Sequence, residues 1–335
     1  MSEPITTWSE AITGDEESRL EGLATRLAEL QAKRDRGKKV ERGLHIKQHG
    51  GVRARLEIAA DVPKTHAHGL FAKPGTHEAF VRFSNGSARD QHDKQPDLRG
   101  FALKVLEVEG PKSLGDAKTQ DFLLIDEDTL PFRSPEEFVT LLESAENVAT
   151  LPFKLVGKLG FRAFGLIGGV AKFKGNRGSV LDLTYHSVAP FCVGPYAGRL
   201  HLVPLHQGSP HAKAMPERDY LKHELAPRVA AGGLSYGVDL QLLGTGDSVE
   251  DVTLSWKGPS VRVAKLTLLA DDPRTPEGQR LDALVHEMSF DPWHTLVTHR
   301  PLGLSMRARK HAYFKSTQAR RAASEPDVAA WKSFG

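Results

Sequence analysis

Near the C-terminus the sequence reads Arg307-Ala-Arg309-Lys-His-Ala-Tyr313-Phe-Lys-Ser-Thr-Gln-Ala-Arg320. On a helix, Arg309 and Tyr313 stand at i and i+4 and Arg320 follows Tyr313 at i+7, so the three share one face. A phenol with two guanidinium groups beside it is an unusual face, because a nearby cation favours the ionised form of an acid. The spacing predicts a tyrosine able to exist as tyrosinate near neutral pH, a hard anionic ligand for iron. The alternative is an exposed basic helix whose tyrosine caps the core.

A second chemical feature is Arg82, in Phe80-Val-Arg82-Phe-Ser84-Asn-Gly. It alternates with Val81 and Phe83 in the middle of a strand pattern, and a buried arginine needs an anionic partner. That partner is either a ligand or an internal carboxylate such as Asp97. The histidine pairs His45/His49 and His66/His68 have spacings seen at metal sites, but neither has a third ligand placed to complete it, and metal binding is not expected of them. Phe290-Asp-Pro-Trp293-His294 is either a cofactor-lining segment or a tight connecting turn.

The elements that must position these residues follow from periodicity. Residues 15–36 carry Leu20, Leu23, Leu27 and Leu30 at helical spacing behind an acidic first turn. Period-two alternation predicts strands over 44–59, 79–84, 100–108, 122–125, 179–188, 198–204, 235–243, 250–256 and 261–269. Ser134-Pro135-Glu136-Glu137 is a helix-start signal for helices over 135–173, and Pro276-Glu277 opens another. Many strands without βαβ alternation argue for an antiparallel sheet or barrel with added helices, an α+β fold.

Composition excludes several classes. The 335 residues are 39% hydrophobic and 26% charged, an ordinary globular mixture. A net charge of +3 is too small to suggest a nucleic-acid partner. Cys192 is the single cysteine, which rules out an internal disulfide or CxxC motif and is expected in the core. The N-terminal residues lack a basic start followed by an apolar run, so a cytoplasmic protein is expected. Residues 151–173 mix apolar side chains with Lys154, Lys158, Arg162 and Lys172. They suggest either a core-packing helix with a basic outer side or a surface for lipid or membrane contact.

The run "VRFS…DLRGFALKV", with "RGLH" before it and "RSPEEF" and "RARKHAY…R" after it, resembles the haem catalases, in particular the short catalase-related peroxidases and allene oxide synthase-like proteins. The resemblance covers roughly residues 40 to 140 and 290 to 320. It implies an antiparallel catalase-like barrel with surrounding helices and a C-terminal helix bearing the haem ligand. A mobile N-terminal helix or arm, 1–38, would precede one haem domain, 39–335. By this likeness His45 corresponds to the distal histidine that shuttles the peroxide proton, and Ser84 to the serine that holds it. Arg42, Arg82 and Arg320 correspond to arginines on the haem side, the first two pairing with propionates. Phe138 corresponds to the aromatic over the distal face, Tyr313 to the iron ligand, and Arg309 to the arginine that keeps it ionised. The distal asparagine falls at Asp126, and Leu44 replaces the small branched residue or threonine before the histidine. The implied cofactor is haem b.

Asp126 cannot donate an amide hydrogen to a peroxide. The expectation is therefore a peroxidase for organic or hydrogen peroxides with weak catalase activity at most, using a small-molecule electron donor and assembling as a homodimer. Alternatives are fatty acid hydroperoxide rearrangement, or haem binding without turnover.

Overall fold

The computed structural model describes residues 3–145, 151–171, 173, 178–209 and 215–334. Its centre is built by side-chain alternation. In β2 (Gly75–Asn85), Ala79, Val81 and Phe83 join the main core, while Phe80 joins an outer cluster with Leu281, Val285 and Met288. In β3 (Arg99–Val105), Phe101, Leu103 and Val105 point inward in the same way. A period of two thus sends Arg82, Ser84 and Gly100 to the outer face.

All strand pairs are antiparallel. β1 (Gln48–Ile58) pairs with β2, β2 with β3, and β3 with β4 (Gln120–Ile125). From β4 the sheet passes to β5 (Tyr185–His186), then to β7 (Tyr196–Pro204), β8 (Ser235–Leu242) and β9 (Ser260–Leu268), and β9 returns to β1. Eight strands therefore close into a barrel, and closure removes the open edges that a sheet would otherwise expose. The short β6 (Phe191–Val193) extends the β5 position along β7, with Val188 in the left-handed region between them. A contiguous apolar core fills the barrel, with Phe101 packed edge-on against Phe83 and Tyr236.

Helices cover the outside. α6 (Pro276–Glu287), capped by Thr275 Oγ1 accepting from Gly278 N–H at 3.0 Å, crosses β1 at Gly51. A Cβ at Gly51 would stand 2.5 Å from Val285 Cβ, so glycine permits this crossing. α7 (Leu304–Arg320) packs against α1 (Glu16–Arg34) and α2 (Pro135–Ser144). At the base of α7 the buried Arg307 is held by Glu10, Glu16 and Glu250, which ties the N-terminal segment to the body. α3 (Leu151–Leu159) and α4 (Arg162–Val170) form a hairpin beside α2.

Three expectations need correction. The first strand begins at Gln48 rather than Leu44, because His45 adopts a left-handed backbone (φ 53°) that no strand accommodates. Residues 250–256 are not a strand. Ser248 Oγ accepts from the N–H groups of Glu250 and Asp251, and Asp251 accepts from that of Thr253, so side chains take bonds a ladder would need. Of 179–188 only Tyr185–His186 pairs. α5 (Tyr220–Ala231) was not foreseen, since Pro227 lies inside it and reads as a break. A short α8 (Val328–Lys332), capped by Asp327, was also missed. Cys192 is buried as expected, packed with Leu243, Trp256 and Leu302, and burial pushes its thiol up to about 11.

Candidate functional site

The site lies between the outer faces of β1–β3 and helices α6 and α7. His45 precedes β1, and its strained backbone is held on both sides. Its N–H donates to Gly86 O at 3.1 Å, and its own carbonyl accepts from Arg82 Nη2 at 2.7 Å. His45 Nδ1 and Ser84 Oγ are hydrogen-bonded at 3.1 Å. Ser84 faces Gly100 across β2 and β3, and a Cβ at Gly100 would stand 2.5 Å from His45 Nδ1 and 2.8 Å from Ser84 Oγ. The imidazole thus rests on a seat made by one hydroxyl and one missing side chain. Burial, reinforced by the charges of Arg82, Arg309 and Arg42, lowers its pKa to about 3, so the ring is neutral at ordinary pH.

Three guanidinium groups gather beside it. Arg82 Nε donates to Gln48 Oε1 at 2.7 Å. Arg42 donates to the carbonyls of His286 and Met288, and Arg320 to those of Glu287 (3.1 Å) and Met288 (2.6 Å). These carbonyls are the negative end of α6, which partly offsets the positive charge. Among the described residues, no carboxylate lies within salt-bridge distance of any of the three. Asp97, the internal partner considered for Arg82, instead accepts from Ser87 N–H and Gln91. Burial and the neighbouring Arg82 and Arg320 charges push Arg42 down to about 7, and Arg82 falls to about 9 for similar reasons. A guanidinium does not give up its proton in proteins, so such depression expresses a missing counter-charge.

α7 supplies the opposite wall. Arg309 and Tyr313 share a face one turn apart, and the charges of Arg309 and Arg42 both act on the phenol and on His45. Ser316 Oγ accepts from Gly43 N–H at 3.3 Å, which docks the Arg42–His45 segment on this helix. The expectation of a cation-ionised tyrosine is not met by the chain alone. Burial raises the Tyr313 phenol above its usual range, Asp291 adds to the rise, and Arg309 and Arg42 oppose it incompletely. The second cation near the phenol is Arg42 rather than Arg320. Seven residues along a helix are about 10 Å, which carries Arg320 away to the α6 carbonyls. A cation bound at the phenol oxygen would shift that balance toward the ionised form.

The remaining candidates are more dispersed. Asp126 directly follows β4, and its Oδ1 accepts from Arg99 N–H at 2.7 Å, fixing the carboxylate against the start of β3. Phe138 lies on α2, its ring 4.8 Å from that of Phe132, and α2 packs on α7. The segment Phe290–His294 is a tight turn, with Asp291 Oδ1 accepting from Trp293 N–H and Trp293 Nε1 donating to Met306 O at the base of α7. It braces the helix that bears Tyr313. Sequence reasoning missed Gly100, Gln48, Ser316 and the α6 carbonyls. Gly100 stood in a quoted motif, but no periodicity signals a seat for a ring from another segment.

No family model matches the chain. Its fold is that of the catalases. It superposes on a fungal catalase with TM-score 0.65 over 97% of this chain and 66% of that one, at 19% identity. For catalase A from Saccharomyces cerevisiae the TM-score is 0.66 over 98% and 68%, at 17% identity. A curated relative, a catalase-related peroxidase from Mycolicibacterium paratuberculosis, is 29% identical over 214 residues. That match spans 60% of this chain and 66% of the relative's length. The chain thus has the catalase fold and is similar in sequence to a catalase-related peroxidase.

Proposed function

We propose that this protein is a haem peroxidase that reduces organic or hydrogen peroxides, with weak catalase activity at most. The observation that carries the reading is the trio Arg42, Arg82 and Arg320, the second buried and the other two half-buried, which has no carboxylate at salt-bridge distance among the described residues. A flat ligand with two carboxylates on one edge, as in haem b, fits that charge. Tyr313 would hold the iron from α7, with Arg309 favouring its ionised form. A bound haem would supply iron for splitting the peroxide O–O bond, and an ionised Tyr313 oxygen would donate electron density to it. The relatives' names, catalase and catalase-related peroxidase, are consistent with this.

The chain's own contribution is proton handling. His45 is neutral and hydrogen-bonded to Ser84 through Nδ1, which leaves Nε2 to accept the peroxide proton and return it to the leaving oxygen. Asp126 turns a carboxylate toward the Arg99 N–H, so this position offers no amide hydrogen to a bound peroxide. That favours a peroxidase over an efficient catalase.

The test is haemin uptake followed by turnover. Wild-type protein is expected to take up haemin with the Soret spectrum of a ferric tyrosinate-ligated haem, and Tyr313→Phe to lose that spectrum. Guaiacol oxidation by tert-butyl hydroperoxide should fall by roughly 10²–10⁴-fold in His45→Ala. A protein that takes up no haemin would sink the reading. Consumption of a polyunsaturated hydroperoxide without reductant would replace it by rearrangement chemistry.

A further inference from the structure

The hairpin α3–α4 has two unlike faces. Its inner face buries Leu155, Ala163 and Leu166 against Phe132 and Leu141, and Gly169 closes on Pro131 so tightly that a Cβ would stand 2.3 Å away. Arg162 and Lys158 reach back to Glu137 (3.0 Å) and Glu143 (2.9 Å) on α2. Among the described residues, the outer face has no such cover. Phe161 at the tip is 93% exposed, Phe153 81% and Phe164 62%. Scattered single apolar residues on a surface are normal, but three exposed phenylalanines within twelve residues of one hairpin are a concentration that points to an interaction site.

Charge identifies the occupant. Between Glu146 and Asp182 the sequence carries six basic residues and no acidic one. Among the described ones, Lys154 is exposed beside Phe153 and makes no ion pair. A second copy of the chain docking through the same patch would set like charges against each other. Exposed aromatics beside the unpaired Lys154, in a stretch whose sequence is basic throughout, instead match an anionic lipid surface, where rings enter the acyl boundary and cations meet headgroups. No helix among the described residues is long and apolar enough to cross a membrane, so the contact is interfacial.

We propose that the α3–α4 hairpin docks the protein on anionic lipid bilayers, with Phe161 as the inserting tip. This docking does not depend on haem or on peroxidase activity. It would hold α2, the helix of Phe138, next to the bilayer.

The experiment is co-sedimentation of the full chain with phosphatidylcholine vesicles, with and without phosphatidylglycerol. Binding is expected only with phosphatidylglycerol and should weaken at high salt. Phe161→Glu should reduce the apparent affinity by roughly tenfold or more, from the lost burial of one aromatic side chain. Lys154→Glu, which touches no packed contact, should also weaken it. The circular dichroism and melting of both variants should match wild type, since both side chains are exposed. Absence of binding to phosphatidylglycerol vesicles overturns the proposal, as does undiminished binding by both folded variants. So does a wild-type dimer that Phe161→Glu converts to monomer, which would mean that a second copy covers the patch.

Discussion

Arg42 and Arg320, from opposite ends of the chain, donate to the same carbonyl oxygen, that of Met288. Two guanidiniums sharing one acceptor is an arrangement that leaves charge uncompensated. It persists because the α6 C-terminus presents several carbonyls at once and the surrounding packing holds the arginines there. In the proposed function the carboxylates of the ligand complete the site.

The shared acceptor gives a paired expectation for Arg42→Gln, which keeps a donor but removes a half-buried charge. Haemin affinity should fall by roughly 10–100-fold, the worth of one charge-assisted hydrogen bond. The haem-free protein should melt no lower than wild type, because repulsion with Arg82 and Arg320 is relieved. Haemin titration and thermal unfolding of the haem-free form check the two halves separately.

Gly100→Ala tests the seat under His45. The added methyl meets the ring at a distance that no Cβ tolerates, so the imidazole must move. Turnover is expected to drop by about 10²-fold, the usual effect of an ångström-scale misplacement. Haemin binding should be nearly unchanged, since the arginines and Tyr313 lie elsewhere. Equal turnover of variant and wild type would remove Gly100 from the positioning of His45.

Arg307→Met addresses the anchoring of α7. It would leave Glu10, Glu16 and Glu250 facing one another without their common cation. Removing one partner of a buried charge network costs about 3–5 kcal/mol. Urea unfolding should register that loss. A shift below about 1 kcal/mol would show the network to be solvent-screened.

His299 sets a pH dependence. It accepts from Leu70 N–H and is hydrogen-bonded to Cys192 O, and burial lowers its pKa from 6.5 to about 4. The unfolded chain therefore binds the extra proton first on acidification. Stability from this group is complete above the unfolded pKa and is lost as pH falls through the window down to about 4. Between pH 7 and pH 5 the loss is about 2 kcal/mol. His299→Gln preserves an acceptor and a donor but does not titrate, so its stability should fall less than wild type over the same interval. Parallel curves for the two proteins would contradict the assignment.

Much of the site was legible locally. Alternation placed Arg82 and Ser84 on the face opposite Val81 and Phe83. Helical spacing set Arg309 beside Tyr313, and the cap signals at Ser134 and Pro276 marked real helix starts. These follow from backbone periods that act over a few residues, so the sequence by itself determined them. The tertiary structure alone decided that Arg320 leaves Tyr313 for the α6 carbonyls, that Arg42 takes its place, and that Gly100 makes room for His45. It also decided that β5 and β7 close the barrel, and that the phenol of Tyr313 is raised rather than lowered. Each depends on which distant segments are pressed together and on how much water that contact removes, and neither quantity is written in local spacing.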